Sequence, residues 1–241
     1  MGSIRIGTAG WSIARTAAER FPAEGSGLER YAAVFGAVEI NSSFHRPHRA
    51  STWERWRDSV PADFRFSVKV PKRITHELEL VGFEEALTAF LAEAGVLNDK
   101  LAVLLVQLPP KLAFEPEIAR AFLADLAARS SAAIACEPRH ESWFTAGADA
   151  LLVELQVARV AADPARHAGA GEPGGWRGLA YWRLHGSPTM YRSSYGERVA
   201  AYAAALEAEA EAGREAWCVF DNTASSAATS DALALVEALG A

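Results

Sequence analysis

Eight short β-type runs, separated by helical patterns, constrain the fold of this chain more than any other feature. The runs occupy residues 4–7, 38–41, 64–69, 101–108, 133–137, 159–163, 181–185 and 217–221. Strands that alternate with helices form parallel sheets with helical crossovers. Eight such units predict closure into an α/β barrel of the (β/α)8, or TIM, type.

Length and composition agree with a single barrel domain spanning residues 1–241. The chain has 241 residues, half of them hydrophobic, which suits one barrel with a large core. Its net charge of −6 disfavours nucleic acid as a general partner, because that binding depends on Lys and Arg neutralising phosphates. Cys136 and Cys218 lie inside apolar runs without metal-type spacing, so we expect core cysteines.

The sequence shows no targeting signal. The N-terminal residues lack a charged stretch followed by an apolar one, and no apolar run approaches the roughly 20 residues that span a membrane. We therefore expect a cytoplasmic protein without a membrane partner, present as a monomer or a weak dimer.

Some helix ends are recognisable from the residues alone. The segment Ser51-Thr52-Trp53-Glu54 matches a capping box, in which a hydroxyl and a carboxylate satisfy free backbone N–H groups. Pro116 suits the first turn of a helix, and Ser230 is a candidate N-cap for the last helix. Segment 164–179 is rich in Gly and Pro, so we expect a surface loop there in place of the sixth helix.

Alternation along the strands indicates which side chains face the barrel axis. The outer face of a parallel barrel packs on helices and should be apolar, so the polar members of each run point inward. The side chains expected to face the axis are those of Glu39, Asn41, Lys69, Gln107, Glu137, Asp163, Arg183 and His185. In the sixth run Asp163 is grouped with Ala161. The last run leaves open whether Asp221 or Asn222 faces inward.

These inward residues lie at or near the C-terminal ends of the strands, where barrel enzymes place their chemistry. Charge inside a barrel is costly unless it is paired. The pattern therefore favours a ligand site at this mouth, and the alternative is a layer of structural ion pairs that closes the barrel. The candidates for catalysis are Glu39, Lys69, Glu137 and His185. The candidates for substrate binding are Trp11, Asn41, Phe44, His76, Gln107, Arg139, Asp163, Arg183, Tyr191, Tyr195 and Asn222.

The residue types indicate specific roles. Glu39 and Glu137 are the candidate acid and base, because two carboxylates can divide these roles when their environments separate their pKa values. If Glu137 is catalytic, Glu137→Gln should keep its stability and lose ligand binding, which is what we expect. If Glu137 is instead a charge partner of Lys69 or Arg183, the substitution should destabilise the fold.

Other residues point to an anionic ligand. Lys69, Arg139 and Arg183 suit a carboxylate or a phosphate, and Lys69 has Schiff-base formation as an alternative. Of the histidines, His185 is the best candidate for catalysis. Loop aromatics at the strand ends would wall a pocket, although Trp11 has the alternative of anchoring a loop.

No cofactor is predicted from the sequence. The chain lacks a dinucleotide fingerprint, a phosphate-binding P-loop and a nucleophile elbow. A divalent metal held by Glu39, Glu137, Asp163 and His185 is an open alternative, which the neighbouring cations disfavour.

The motifs together resemble those of the YecE-like family, a group of uncharacterised barrel proteins. The matching motifs are Gly7-Thr8-Ala9-Gly10-Trp11-Ser12, Val38-Glu39-Ile40-Asn41-Ser42-Ser43-Phe44, Phe64-Arg65-Phe66 with Lys69 and Ile74-Thr75-His76, Gln107-Leu108-Pro109-Pro110, Glu137-Pro138-Arg139-His140-Glu141-Ser142-Trp143, Arg183-Leu184-His185-Gly186 and Phe220-Asp221-Asn222-Thr223. The resemblance implies a barrel and brings no activity. His45 stands where the family usually has Tyr, and Asp221 where Asn is common.

Three functions remain after these arguments. The first is an enzyme, such as a hydrolase, lyase or isomerase, that acts on a small anionic substrate by acid–base chemistry without a redox cofactor. The second is a nucleic-acid-directed barrel protein, such as a phosphodiesterase. The third is a protein that binds a metabolite without catalysis, because fold does not imply function.

Overall fold

The computed structural model describes residues 2–240 and contains every strand that the sequence predicts. The strands are β1 Ile4–Thr8, β2 Ala37–Ile40, β3 Arg65–Lys69, β4 Leu101–Gln107, β5 Ala133–Glu137, β6 Val157–Arg159, β7 Ala161–Asp163, β8 Gly174–Gly175, β9 Leu179–Leu184 and β10 Glu215–Phe220. The sixth run begins two residues earlier than predicted and is interrupted at Val160, so that β6 and β7 are two halves of one barrel strand.

The strands form a closed ring. Parallel pairing runs from β2 through β3, β4 and β5 to β6, and from β7 through β9 and β10 to β1. At Val160 the N–H donates to Cys136 at 2.8 Å, which keeps the interrupted strand on β5. The ring closes between β1 and β2, where Gly10 N–H donates to Glu39 O at 2.8 Å. The predicted TIM-type barrel is confirmed.

The approach of β1 to β2 explains a glycine of the first motif. A Cβ on Gly7 would lie 2.2 Å from the carbonyl oxygen of Ala37, so no larger residue fits there without moving the strand. Tyr31 completes this corner, because its hydroxyl donates to Ala37 O at 3.0 Å and accepts the N–H of Thr8 at 2.8 Å.

Seven α-helices surround the ring in residues 2–240. They are α1 Gly27–Ala32, α2 Ala50–Asp58, α3 Glu84–Ala94, α4 Pro116–Arg129, α5 Ala146–Glu154, α6 Val199–Glu211 and α7 Ala227–Ala238. The predicted place of Pro116 in the first turn of α4 is confirmed. None of these helices is both long enough and apolar enough to cross a membrane.

Two predicted helix caps are wrong, and both helices begin earlier than expected. Ser51 is the second residue of α2, whose N-cap is Arg49 and has no side-chain cap. Ser230 lies inside α7, because the helix starts at Ala227 and Asn222 O already accepts the N–H of Ala228 at 3.3 Å. The capping box of this chain is instead at Ser26, the N-cap of α1.

A loop replaces the sixth helix, as the sequence predicts. All residues between β7 and β9 are described, and none is helical. Arg159, which is 6% exposed, holds this loop on the barrel. Its guanidinium donates to Asp149 on α5 at 2.9 Å and to Gly169 O at 2.8 Å, and it lies 5.0 Å from the Phe144 ring.

The barrel interior has its own apolar core, separate from the layer between strands and helices. Its buried members are Ala37, Val103, Leu105, Ala135, Ala158, Val160, Leu179, Tyr181, Trp217 and Val219. The predicted inward parity is thereby confirmed for the core residues of β4, β5 and β9. The same core shows which residue faces inward after β10. Asp221 continues the side of Trp217 and Val219, so Asp221 and not Asn222 faces the axis.

The predicted inward orientation of Asp163 is wrong. Ala158 and Val160 face the interior, whereas Ala161 packs in the outer core, which places Asp163 on the outer side. Its carboxylate pairs there with Arg198 and Tyr202 beside α6. The sequence misleads at this point because Ala161 and Ala162 give no contrast between an apolar and a polar face.

We expect Arg159→Ala to lower the free energy of unfolding by about 1–3 kcal/mol, because it removes buried charge-assisted hydrogen bonds and leaves their acceptors unpaired. Urea unfolding measures the change. Arg120→Ala is the matched control: Arg120 pairs with Glu154 at 2.5 Å on the exposed surface, where solvent screens the pair, so its loss should cost much less than that of Arg159. Equal costs for the two substitutions would contradict the anchoring role of Arg159.

Candidate functional site

The site is organised around the guanidinium of Arg183, which β9 carries into the barrel near its C-terminal end. Arg183 is fully buried, as is Glu39 on β2. The two form a bidentate pair, with Nε donating to Oε2 at 2.9 Å and Nη2 donating to Oε1 at 2.6 Å. Such paired hydrogen bonds fix position as well as charge. The pair therefore ties β9 to β2 across the barrel.

Two further carboxylates complete the coordination of Arg183. Its Nη1 donates to Glu137 Oε2 at 2.5 Å, and its Nη2 lies 3.2 Å from Asp221 Oδ2. Arg139 donates to the other oxygen of Glu137 through Nε and Nη2, at 3.0 and 2.8 Å. Although burial raises the pKa of Glu137, the charges of Arg183, His185 and Arg139 hold it well below its ordinary value.

His185 is positioned by two carboxylates. Its Nδ1 lies 2.9 Å from Asp221 Oδ2, and its Nε2 lies 3.2 Å from Glu137 Oε1. Ionised carboxylates only accept hydrogen bonds, so both ring nitrogens must carry protons. Burial opposes this charge, but Glu137 and Asp221 raise the pKa of His185. The ring is therefore an imidazolium within a network of fixed charges.

Tyr181 and Ser67 form the floor beneath Glu39. The Tyr181 hydroxyl donates to Glu39 Oε2 at 3.0 Å and lies 2.9 Å from Ser67 Oγ. All three residues are completely buried. Glu39 thus accepts from Tyr181 and twice from Arg183, which leaves it little capacity to act on a ligand. This geometry supports the alternative in which Glu39 is a charge partner.

The charges of this network balance. Glu39, Glu137 and Asp221 contribute three negative charges, and Arg139, Arg183 and His185 contribute three positive ones. Lys69, which is 9% exposed, adds a further positive charge. In residues 2–240 its ammonium has neither an ion-pair nor a hydrogen-bond partner, and it lies 4.1 Å from the centre of the Phe44 ring.

The environment of Lys69 makes its proton labile. Burial, followed by the nearby charge of Arg183, lowers its pKa to about 8, although the three carboxylates of the network oppose the change. The expected pairing of Lys69 with Glu39 or Glu137 is absent in the described structure. Its ammonium therefore remains the one charge that the network does not use.

Several predicted binding residues surround Lys69. Asn41 follows β2 beside Lys69, and its buried Oδ1 has no hydrogen-bond partner within residues 2–240. The His76 ring packs edge-on against Phe44, with centroids 5.1 Å apart. Burial and the charges of Lys69, Arg139, Lys72 and Lys111 lower the pKa of His76 to about 4, so the rim carries a positive potential. Gln107 is 6% exposed and donates to the adjacent Leu108 O at 2.7 Å.

Other predicted binding residues lie away from this cluster. Trp11 packs edge-on against Trp56 of α2 at 5.1 Å, which supports its alternative as a loop anchor. The Tyr195 hydroxyl accepts the N–H of Gly186 at 2.9 Å and donates to Asp163 O at 3.1 Å. The Asp163 carboxylate points to the outer side and away from the inner network, although the Asp163 carbonyl accepts the N–H of His185 at 2.8 Å.

Asn222 belongs to a group of hydrogen bonds around Asp231, called here the Asp231 latch, which the sequence analysis did not predict. Its Nδ2 donates to Asp231 on α7 at 2.6 Å and to Ser193 O at 2.9 Å. Asp231, only 3% exposed, also accepts from Ser194 and from the Tyr195 N–H. These contacts hold the loop after β9, which carries Tyr191 edge-on against His185 with centroids 5.7 Å apart.

The site does not resemble a metal centre in the part of the chain that is described. Within residues 2–240, no three or more His, Cys, Asp or Glu side chains are arranged to hold a metal ion. The four metal ligands considered from the sequence, Glu39, Glu137, Asp163 and His185, do not point into one site, because the Asp163 side chain faces outward. Glu39, Glu137 and Asp221 are instead bonded to cationic side chains.

Three cavities are lined by segments that follow the C-terminal ends of the strands. One of about 620 Å³ lies outside the barrel between the loop after β2 and α3, with Phe44 in its wall. Another of about 20 Å³, with room for roughly one water, is lined by residues that include Glu137, Arg139 and His185. A third, of about 320 Å³, opens at the rim beside Arg139.

Taken with its closed ring of parallel strands, the site defines a TIM-type barrel whose C-terminal mouth holds a buried network of paired charges. The family model described as "Protein of unknown function DUF72" matches residues 5–241. The chain belongs to the DUF72 family, and the resemblance drawn from the motifs is confirmed.

Relatives and solved structures agree with this assignment. The chain is 33% identical over 82 residues to the "UPF0759 protein YecE" of Escherichia coli (strain K12), a match that covers 34% of this chain and 30% of the relative. The match thus spans less than a third of that relative's length. DUF72 family proteins of Enterococcus faecalis and Thermotoga maritima, each 22% identical, superpose with TM-scores of 0.83 and 0.78.

The superpositions cover nearly the whole chain. The Enterococcus faecalis match covers 99% of this chain and 96% of the other, and the Thermotoga maritima match covers 99% of both. A fusion protein with a xylose isomerase-like TIM barrel, 13% identical, superposes with a TM-score of 0.52 over 99% of this chain and 42% of its own length. At these identities the likeness concerns the fold alone.

The geometry changes the expectation for Glu137→Gln. The substitution leaves Arg183, Arg139 and His185 without a shared charge partner, so we expect the free energy of unfolding to fall by about 3–5 kcal/mol. Chemical denaturation measures it. Glu141→Gln, at an exposed carboxylate four residues along the chain, should change stability by less than about 0.5 kcal/mol. A melting temperature of Glu137→Gln close to wild type would restore the catalytic interpretation.

The stability contributed by His185 should depend on pH. Its pKa is raised in the folded state, so this stability is fully present below about pH 6.5, the ordinary histidine value, and is lost as pH rises through the folded pKa. We expect His185→Gln to cost most at acidic pH and progressively less at alkaline pH. Thermal melts of both proteins across the pH range measure the difference, and a constant cost would contradict a charged His185.

Proposed function

We propose that the chain is an enzyme that binds a small anionic substrate at the C-terminal mouth of the barrel, with Lys69 as the group that binds the anion and exchanges a proton with it. The observation that carries this proposal is the uncompensated ammonium of Lys69 above a charge-balanced network. Lys69 is only 9% exposed, and an ammonium largely withdrawn from water without an ion-pair partner is costly, so it gains most from an anionic ligand.

The surroundings of Lys69 suit a small anion that also carries a hydrogen-bond donor. The unpartnered Oδ1 of Asn41 is an acceptor beside the ammonium, so a hydroxyl or amine group of the ligand would find a partner there. The Phe44 ring offers an apolar wall. Cationic residues around His76 would raise the local concentration of anions at the mouth.

Acid–base chemistry is supported by the pKa of Lys69. A value of about 8 lies close to neutral pH, where a group can accept and return a proton in one catalytic cycle. Glu137 and His185, the other candidates for catalysis, would act by holding the charges around Lys69 rather than by touching the substrate. A hydrolase, lyase or isomerase that moves a proton without a redox cofactor fits this division of roles.

Lys69→Met tests the proposal through two opposite effects. The substitution removes an unpaired charge from a largely buried side chain and keeps its shape, so we expect a gain of about 1–3 kcal/mol in the free energy of unfolding at neutral pH. The pKa of Lys69 is lowered in the folded state, so the charge destabilises wild type fully below about pH 8. This destabilisation disappears as pH rises toward about 10.4, the ordinary lysine value, and the two proteins should then be equally stable. Denaturant unfolding at pH 7 and pH 10 measures both.

The same variant should lose ligand binding. A small carboxylate ligand without a phosphate group, found by thermal-shift screening, should at a hundredfold excess over its Kd stabilise wild type by about 2.7 kcal/mol and Lys69→Met very little. Its affinity should fall as pH rises through the pKa of Lys69. Arg20→Met, at an exposed arginine paired with Glu237 on α7, is the control and should bind like wild type. Binding that survives in Lys69→Met would refute the proposal, and binding without turnover by NMR would identify a metabolite-binding protein.

A further inference from the structure

A second set of unused hydrogen-bond donors lies on the rim of the barrel, apart from Lys69. It surrounds a cavity of about 320 Å³, which is within the size range of small-molecule sites. The lining residues are Pro110, Arg139, His140, Glu141, Arg166 and His167. Three of them, Arg139, Arg166 and His167, also line the narrow space beside Glu137 and His185. The rim cavity is therefore adjacent to the charge network.

Both arginines of the cavity retain free donors. Arg139 directs N–H groups on Nε and Nη2 to Glu137 and also bonds to the Tyr191 hydroxyl, so part of its five-donor guanidinium remains available to a ligand. Arg166 is exposed, and within residues 2–240 its guanidinium makes one polar contact, with the weak acceptor Met190 Sδ at 3.7 Å. Two guanidinium groups on one cavity, one of them fixed by a buried carboxylate, match the oxygens of a phosphate.

The two histidines add a donor and an acceptor. His140 Nδ1 accepts the N–H of Ser142 at 3.3 Å, so the proton of the neutral ring is on Nε2, which is free to donate. His167 Nε2 donates to Arg139 O at 3.2 Å, which leaves its Nδ1 free to accept. Glu141 is exposed and provides a carboxylate acceptor on the same wall. The cavity therefore offers cationic donors for an anion and acceptors for hydroxyl groups.

We infer that the cavity formed by Arg139, His140 and Arg166 is a phosphate subsite, and that the substrate class is a hydroxylated organic phosphate, such as a sugar or polyol phosphate. The inference rests on the proposed function, which it deepens by assigning the phosphate to the rim and the reacting end to Lys69. The free acceptors on Glu141 and His167 distinguish this class from bare inorganic anions, because hydroxyl groups next to the phosphate would bond to them.

The test measures the binding of inorganic phosphate and of glycerol phosphate by isothermal titration calorimetry. In Lys69→Met, where the ammonium is gone, phosphate binding should persist. Adding Arg166→Ala to that background should weaken it at least tenfold. Arg192→Ala is the matched control, because Arg192 is an exposed arginine on the neighbouring loop after β9, and it should change the Kd less than twofold. Glycerol phosphate should bind more tightly than inorganic phosphate, and Glu141→Gln should reduce that advantage.

A phosphate-free monoanion separates this inference from the proposed function. Lactate binding should disappear in Lys69→Met and survive in Arg166→Ala. If phosphate fails to bind wild type, or binds Arg166→Ala as tightly as Arg192→Ala, the subsite is refuted while the lactate result still decides the role of Lys69. If phosphate depends on Arg166 but lactate does not depend on Lys69, the subsite stands and the proposed function fails.

Discussion

The architecture of the mouth depends on satisfying one buried guanidinium. Arg183 is fully buried, and its hydrogen bonds reach Glu39 on β2, Glu137 at the end of β5 and Asp221 just beyond β10. A charge removed from water at this depth is tolerated only when its partners are close and well oriented. The ring of parallel strands brings those carboxylates in from different directions, and they in turn orient His185 and Arg139.

Lys69 differs from Arg183 in the partners that the fold provides for its charge. Arg183 has partners on several strands, so its charge supports the barrel. Lys69 enters the same space from β3 and finds an aromatic ring in place of a carboxylate. We expect this unpaired ammonium to lower the stability of the unliganded protein, as groups kept reactive at functional sites commonly do.

Sequence patterns predicted the barrel and most of its inner face, because strand alternation has a strong signal wherever bulky apolar residues oppose polar ones. Glu39, Glu137 and Arg183 were placed inward correctly on that basis. The signal failed at Asp163, where neighbouring alanines give no contrast between faces. It also could not tell which charges pair, because pairing depends on side-chain rotamers and on distances across the barrel. The buried Asp231 latch had no signal, since its partners are mostly backbone and loop groups.

The loop that stands in for the sixth helix has a consequence for how this barrel could diversify. A helix at that position would be packed along its length and would resist insertion or deletion. Here the wall is mostly irregular chain, held on the barrel by the Arg159 side chain and by the short pairing of β8 with β6, and Arg166 and His167 near its start line the rim cavity. Surface loops accept changes in length and sequence that packed elements do not. Homologues can therefore reshape this side of the mouth by drift in one segment, while the charge network at the axis and the outer helices stay unaltered.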